Sequence, residues 1–256
     1  MIFVHCSSAT HREWLFAAQH FEGNRRCIMP DLIGYGKSSS QFDEHGEPFD
    51  CTDADVVTML LQNLNEPADV IGHSYGAVAC LEAARLLPEK VRSLFLVEPV
   101  TFYLLRNDDY AELWEEVSGV ARRIAAADAA GQPKRAARIY MSYWLGPVRW
   151  ACSPSRFKHS VMRTVPKVAH EFRSVFKQDN DPAMYVHLVC PVTLVSGARS
   201  TRAAHASAEI LRAHLPDSRI ISVPRAGHMI PFTHPAAVFD LLLQHLRRLD
   251  AAEMNR

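Results

Sequence analysis

Five residues, Gly72-His73-Ser74-Tyr75-Gly76, carry the clearest chemical signal in the chain. An apolar run ending in Val70-Ile71 leads into them. A helical pattern follows, with Val78, Leu81, Ala84 and Leu87 at three- and four-residue spacing. Strand, G-x-S-x-G and helix in that order lift a serine out of a sheet on a sharp, strained turn. Gly72 and Gly76 suit such a turn because neighbouring backbone passes too close for side chains. The amides after Ser74 open a helix, so its partly positive end faces any negative charge that develops there. Without a reactive partner, the same residues are only a serine in a glycine-bounded turn.

A serine hydroxyl is a poor nucleophile at neutral pH and needs a base to take its proton. Histidine suits that task because its pKa lies near neutrality. The imidazole needs a carboxylate to fix its tautomer and stabilise its charged form. A developing oxyanion needs two donors, each worth on the order of 3 kcal/mol. Of the thirteen histidines, His228 stands in a short loop between Ala226-Gly227 and Pro231, after the last strand pattern, where it can point back over a sheet. The alternative is a loop histidine bonded to backbone. His234 is a rival, but it precedes Pro235 and reads as a helix-cap neighbour.

The elements that must position these groups alternate. Apolar strand patterns occur at residues 1–4, at Arg26 to Met29, before Gly72, at Ser93 to Val97, at Val192 to Ser196 and at Arg219 to Val223. Helical patterns run over His11–Phe21, Thr52–Leu64 (with Thr52 or Asp53 as cap), Ala203–His214 and His234–Leu249. Residues 39–50 are polar and read as an exposed loop. Alternation of this kind predicts an α/β fold, a mostly parallel sheet of about six strands with helices on both faces. From Val100 to His187 strand signals vanish and helical stretches take over. Some ninety residues are too many for a loop, so an inserted helical cap is expected over 100–187, with 1–99 and 188–256 forming the core.

Of the 256 residues 48% are hydrophobic, enough for one sizeable core, and the formal net charge is zero. That balance suggests neither nucleic acid nor an anionic membrane surface as a partner. The six cysteines are dispersed with no C-x-x-C pair, which argues against a zinc site or disulfide framework and fits a reducing cytoplasm. No apolar run reaches membrane-spanning length, and the start lacks a signal-peptide pattern. No metal or organic cofactor is implied.

With the His5-Cys6-Ser7 turn, the Asp31-Leu32-Ile33-Gly34-Tyr35-Gly36-Lys37-Ser38 loop, the Gly72–Gly76 elbow, the helical insertion and Gly227-His228, the chain resembles the α/β-hydrolase superfamily over nearly its whole length. The resemblance implies a ligand site above the C-terminal strand ends, under the cap, with Ser74 as nucleophile and His228 as base. It implies packing roles for His73 and Asp31. Oxyanion donors would be the amides of Tyr75 and Ser7. Cys6 stands where the family's turn usually has glycine, and cysteine adopts positive φ less readily.

The acid departs furthest. The usual aspartate of a G-x-x-D pattern is Ser200 here, in Gly197-Ala198-Arg199-Ser200. In some relatives, haloalkane dehalogenases included, the acid instead ends the strand after the elbow helix. Here that residue is Glu98, and Ser74, Glu98, His228 keeps the fold's chain order. The alternatives are a Glu98 that only braces the cap hinge, or a protein that lost its acid and now binds or scaffolds. Asp179 and Asp181, at the cap's exit, read as substrate-side or solvated.

Relatives also carry a strand hairpin before the His5 strand. Its absence implies a shortened sheet or a late start codon, and would leave Arg26–Met29 as an edge across which a homodimer is conceivable. The expected activity is that of a cytoplasmic serine hydrolase, cleaving a small, fairly apolar ester or a carbon–carbon bond beside a ketone. Cap aromatics (Trp114, Tyr140, Tyr143, Trp144, Phe157) are candidate pocket walls. A cofactor-free perhydrolase or cyanohydrin lyase is the alternative within the fold.

Overall fold

The computed structural model describes residues 1–38, 51–178 and 181–254. Its centre is a parallel sheet of five strands in the order β1 (Ile2–Val4), β2 (Ala68–His73), β3 (Val91–Val97), β4 (Val192–Gly197) and β5 (Ser218–Val223). Ten α-helices among the described residues surround it. They are α1 (Leu15–Ala18), α2 (Asp53–Gln62), α3 (Tyr75–Leu86), α4 (Ala111–Ala129), α5 (Pro133–Leu145), α6 (Pro147–Ala151), α7 (Ser155–Lys177), α8 (Arg202–His214), α9 (Ile230–Thr233) and α10 (Pro235–Met254).

The strand side chains alternate between two apolar layers, as a sheet covered on both faces requires. Ile2, Val4, Val70, Leu94, Leu96 and Leu194 face a core shared with α2, α3 and α8, whereas Phe3, Ile71, Phe95 and Val195 face one shared with α1 and α10. A third cluster, built on Ile124, Ala137, Met141, Val161 and Val165, belongs to α4, α5 and α7, with Trp150 of α6. These helices, with α6, stand between β3 and β4 in the chain.

The expected Arg26–Met29 strand shrinks to a single bridge between Ile28 and Ile2, closed by Phe3 N–H to Ile28 O and Ile28 N–H to Met1 O. The sheet therefore has five strands rather than six. Pro30 follows at once and lacks an N–H, so the ladder cannot continue. The predicted His11–Phe21 helix breaks into 3₁₀ turns on either side of the one-turn α1. Thr52 is the cap of α2: its hydroxyl accepts from Asp55 N–H while the Asp55 carboxylate accepts from Thr52 N–H. The stretch 39–50 and Asp179 lie outside the described residues. No helix among them is long and apolar enough to cross a membrane, and the six cysteines are free.

The glycines of the elbow are required by close approach. A Cβ on Gly76 would lie 2.3 Å from His5 O and 2.7 Å from Val4 O; one on Gly72 would lie 2.7 Å from Ala77 Cα. A Cβ on Gly119, within α4, would make only an ordinary contact, 3.7 Å from the end of the Arg122 side chain. Thermal melts should therefore separate two chemically identical changes. Gly76→Ala is expected to destabilise by about 1–3 kcal/mol through backbone displacement, and Gly119→Ala to stabilise by about 0.5–1 kcal/mol through helix propensity.

Candidate active site

Ser74 sits between β2 and α3 with φ 56° and ψ −120°, a left-handed conformation that non-glycine residues rarely hold. Its amide donates to Val97 O at 2.9 Å, which pins the turn to the end of β3. The strain leaves Ser74 Oγ in a buried cavity, where His228 Nε2 lies 2.9 Å away. On the other side of the ring, His228 Nδ1 lies 3.0 Å from Glu98 Oε2. A carboxylate only accepts, so Nδ1 carries the proton and the Nε2 lone pair accepts from the serine hydroxyl. Ser74, His228 and Glu98 are thus brought into one hydrogen-bonded chain, and all three are buried.

Glu98 also has positive φ, 50°, directly after β3. Its amide keeps the ladder by donating to Val195 O, then the chain turns and aims the carboxylate across the end of β4. There Oε1 accepts from Gly197 N–H at 2.6 Å and from Ser196 Oγ at 3.1 Å, and Oε2 accepts from the Ser200 hydroxyl. Ser200 thus serves as a donor to Glu98. Burial alone would raise the Glu98 pKa. The bonds from His228, Ser200 and Gly197 outweigh it and hold the pKa below the ordinary carboxylate value.

Gly197 must be glycine for this contact, because a Cβ would lie 2.6 Å from Ala226 O in the loop that carries His228. His234, the rival histidine, bonds Thr233 at the start of α10 and takes no part. Asp31 accepts from the amides of His11 and Lys37, a loop-bracing role. Asp181 caps a 3₁₀ turn through Ala183 N–H.

The turn after β1 forms differently from expectation. Cys6 does not take positive φ; Ser8 does, at 62°. Cys6 N–H is spent on Glu13 Oε2 at 2.8 Å. His5 accepts Leu32 N–H at Nε2, so its Nδ1–H donates to Cys6 O and ties the turn to the glycine-rich loop. Ser7 then lines a narrow cavity, with about 20 Å³ of free volume, together with Ser74, Tyr75, Tyr140, Trp144 and Glu171. Tyr75 is the first residue of α3, and such first-turn amides have no carbonyl of their own helix to bond.

Behind this chain lies a second buried pair. His73 Nδ1 is 2.5 Å from Glu13 Oε1, and His73 Nε2 is 3.0 Å from His228 O. A carbonyl only accepts, so Nε2 carries a proton and donates to His228 O. Glu13 thereby links the elbow, the His228 loop and the Cys6 turn. Cys6, Glu13 and His73 also put three metal-ligating atoms within 4.8 Å of one another, but the carboxylate oxygens are already engaged inside the cluster. Glu13 has no sequence signal beyond a helical pattern.

The inserted helices close the cavity. Trp144 stacks on the His228 imidazole, with ring centroids 3.6 Å apart and 16° between planes. Tyr140 donates to Ser7 O at 3.5 Å. Of the remaining candidate aromatics, Phe157 lines an adjoining cleft with Ser8, Thr10 and Met229. Trp114 packs on Phe176, and Tyr143 bonds Glu116. Burial dominates the surroundings of His228 and pulls its pKa below 6.5, against the raising influence of Glu98.

A family model of the alpha/beta hydrolase family matches residues 1–241, and the chain belongs to that family. It is 30% identical over 125 residues to a haloalkane dehalogenase of Agrobacterium fabrum, covering 45% of this chain and 36% of that one. It is 26% identical over 118 residues to a coelenterazine h 2-monooxygenase of Renilla reniformis, covering 46% and 38%. The chain thus spans little more than a third of the length of these curated relatives. Among solved structures, a thermophilic esterase of Thermogutta terrifontis superposes with a TM-score of 0.74 at 20% identity, over 97% of this chain and 89% of that one. At that identity the likeness is one of fold.

If His228 takes the proton of Ser74, modification of Ser74 needs the neutral imidazole, whose pKa is lowered. The rate of labelling by a fluorophosphonate should be flat near neutrality and fall as pH drops through a midpoint below 6.5. Trp144→Ala, by admitting water to the imidazole, should move that midpoint upward. An unchanged midpoint would show that the stacked indole does not keep water from the base.

Proposed function

We propose that the protein is a serine hydrolase acting on a small, fairly apolar ester or on a carbon–carbon bond beside a carbonyl, with residues 100–187 as its cap. The observation that carries this reading is the unbroken chain from Ser74 Oγ through His228 to Glu98 inside a cavity. In the proposed reaction Ser74 Oγ attacks the carbonyl while His228 Nε2 takes its proton. Glu98 holds the Nδ1 tautomer and stabilises the imidazolium. The amides of Tyr75 and Ser7 meet the oxyanion. His228 then gives the proton to the leaving group, and water releases the acyl group by the reverse proton path. Val100, Phe102, Phe172 and Val175 supply the apolar wall.

The non-catalytic reading rested on Ser200 and Cys6. Against that reading, Ser200 donates to Glu98 and the positive φ of the turn falls on Ser8. Cofactor-free perhydrolysis and cyanohydrin cleavage use the same groups, and no observation favours either.

Fluorophosphonate treatment followed by peptide mapping should label Ser74 stoichiometrically, and a panel of short esters and diketones should then give turnover. Folded protein that resists labelling would contradict the reading. Glu98→Gln should lower turnover by up to about 10⁴ while melting as a folded protein. Unchanged turnover in that variant would remove Glu98 from the machinery.

A further inference from the structure

The cavity at Ser74 has an apolar wall, and it also has a polar group that the proposed chemistry does not use. Glu171, on α7, is 2% exposed and lines the same cavity as Ser7, Ser74 and Tyr75. Neither of its carboxyl oxygens has a hydrogen-bond partner. The Tyr35 hydroxyl, buried beside it, has none either. Buried polar groups are nearly always paired, and leaving one unpaired costs about 1–3 kcal/mol, so a carboxyl that lines this cavity without a bond of good geometry calls for an explanation.

The neighbours do not supply it. Lys167, one helical turn back, comes within 3.8 Å of Glu171 Oε1, but its ammonium donates to Asp53 Oδ2 at 2.6 Å. Asp53 in turn accepts Ile33 N–H, and the remaining ammonium protons leave only the longer ion pair to Glu171. Ser7 and Tyr35 lie close enough to favour the charged carboxylate, though neither closes a bond of good geometry. A carboxylate offers about four acceptor positions, so even two rotated hydroxyls would leave capacity facing the cavity. Tyr75 and Tyr140 complete the surroundings. Burial and the Asp53 charge push the Glu171 pKa up to about 7, against Lys167, Ser7 and Tyr35, so near neutrality the group both accepts and donates.

We propose that Glu171 is a specificity residue that receives a hydrogen-bond-donating substituent, a hydroxyl or an amine, on the substrate held at Ser74. The preferred substrates would then be hydroxy- or amino-substituted acyl compounds instead of plain alkyl ones. This rests on the Ser74 cavity being the substrate site. A site built around an unpaired polar group discriminates strongly against the analogue lacking its partner, because the bare analogue leaves that group buried and unsatisfied.

The test uses Ser74→Ala protein, in which nothing turns over, and titration calorimetry with four ligands: ethyl butanoate and its 2-hydroxy, 3-hydroxy and 3-amino derivatives. At least one derivative should bind about tenfold or more tightly than the parent ester. Adding Glu171→Leu should erase that ratio. The isosteric Glu171→Gln, which keeps an acceptor but no charge, should retain a hydroxyl preference and lose an amine preference; this separates the two donors and serves if the leucine variant does not fold. Equal or undetectable binding of the derivatives, or a ratio that survives Glu171→Leu, overturns the proposal. Because the readout is binding, a failure of Ser74 to label in the wild-type chain would sink the hydrolase reading and leave this ratio standing or falling by itself.

Discussion

The structure turns on one buried carboxylate. Glu98 is 1% exposed, and an unpaired carboxylate at such depth would protonate before it stayed charged. Four donors prevent that: His228 Nδ1–H, Gly197 N–H and the hydroxyls of Ser196 and Ser200. Charge-assisted bonds of this kind contribute about 1.5–3 kcal/mol each, so several of them offset a desolvation cost of several kcal/mol. Everything nearby follows from keeping them aligned. The end of β4 must lie against the His228 loop, hence a glycine at 197. The chain must leave β3 through a left-handed turn, hence the strained φ of Glu98 itself.

The same logic explains why position 200 carries a serine. An aspartate there would set a second negative charge against Glu98, and two carboxylates that close cannot both stay ionised. Once the acid stands at the end of β3, the residue opposite it is better as a donor. The apparent loss of an acid and the glutamate before Pro99 are two sides of one arrangement. Around it, a second acid–histidine pair repeats the pattern at a distance. Glu13 and His73 hold the Cys6 turn and the His228 backbone from behind, so the turn and the imidazole share one buried anchor.

Much of this could be read from residue order. The elbow announced itself because strand, glycine-bounded serine and helix impose mutually consistent demands within a few residues. The parallel sheet followed from alternation, and His228 from its loop after the last strand. What failed to show was long-range or depended on burial. Residues 26–29 have the composition of a strand, yet Pro30 ends their ladder after one bridge. Glu13 lies in an ordinary helical pattern, and only the fold brings it to His73, sixty residues on. Glu171 stands four residues after Lys167, the spacing of a solvent-facing ion pair. In the structure both side chains are buried, and Lys167 is taken by Asp53. Trp144 was one of several cap aromatics, and nothing in helical spacing singles out the one that stacks on the imidazole.

The central claim is that Glu98 holds the proton of His228 Nδ1. Proton NMR in the far-downfield region, where imidazole N–H groups bonded to carboxylates resonate, tests it most directly. We predict one such resonance from each of the two fully buried pairs. One, from His73, should vanish in Glu13→Gln. The other should vanish in His228→Gln and in Glu98→Gln and persist in Ser200→Ala, because Ser200 only supports the acid. If the His228 resonance survives in folded Glu98→Gln protein, another group orients the imidazole and this account of the site is wrong.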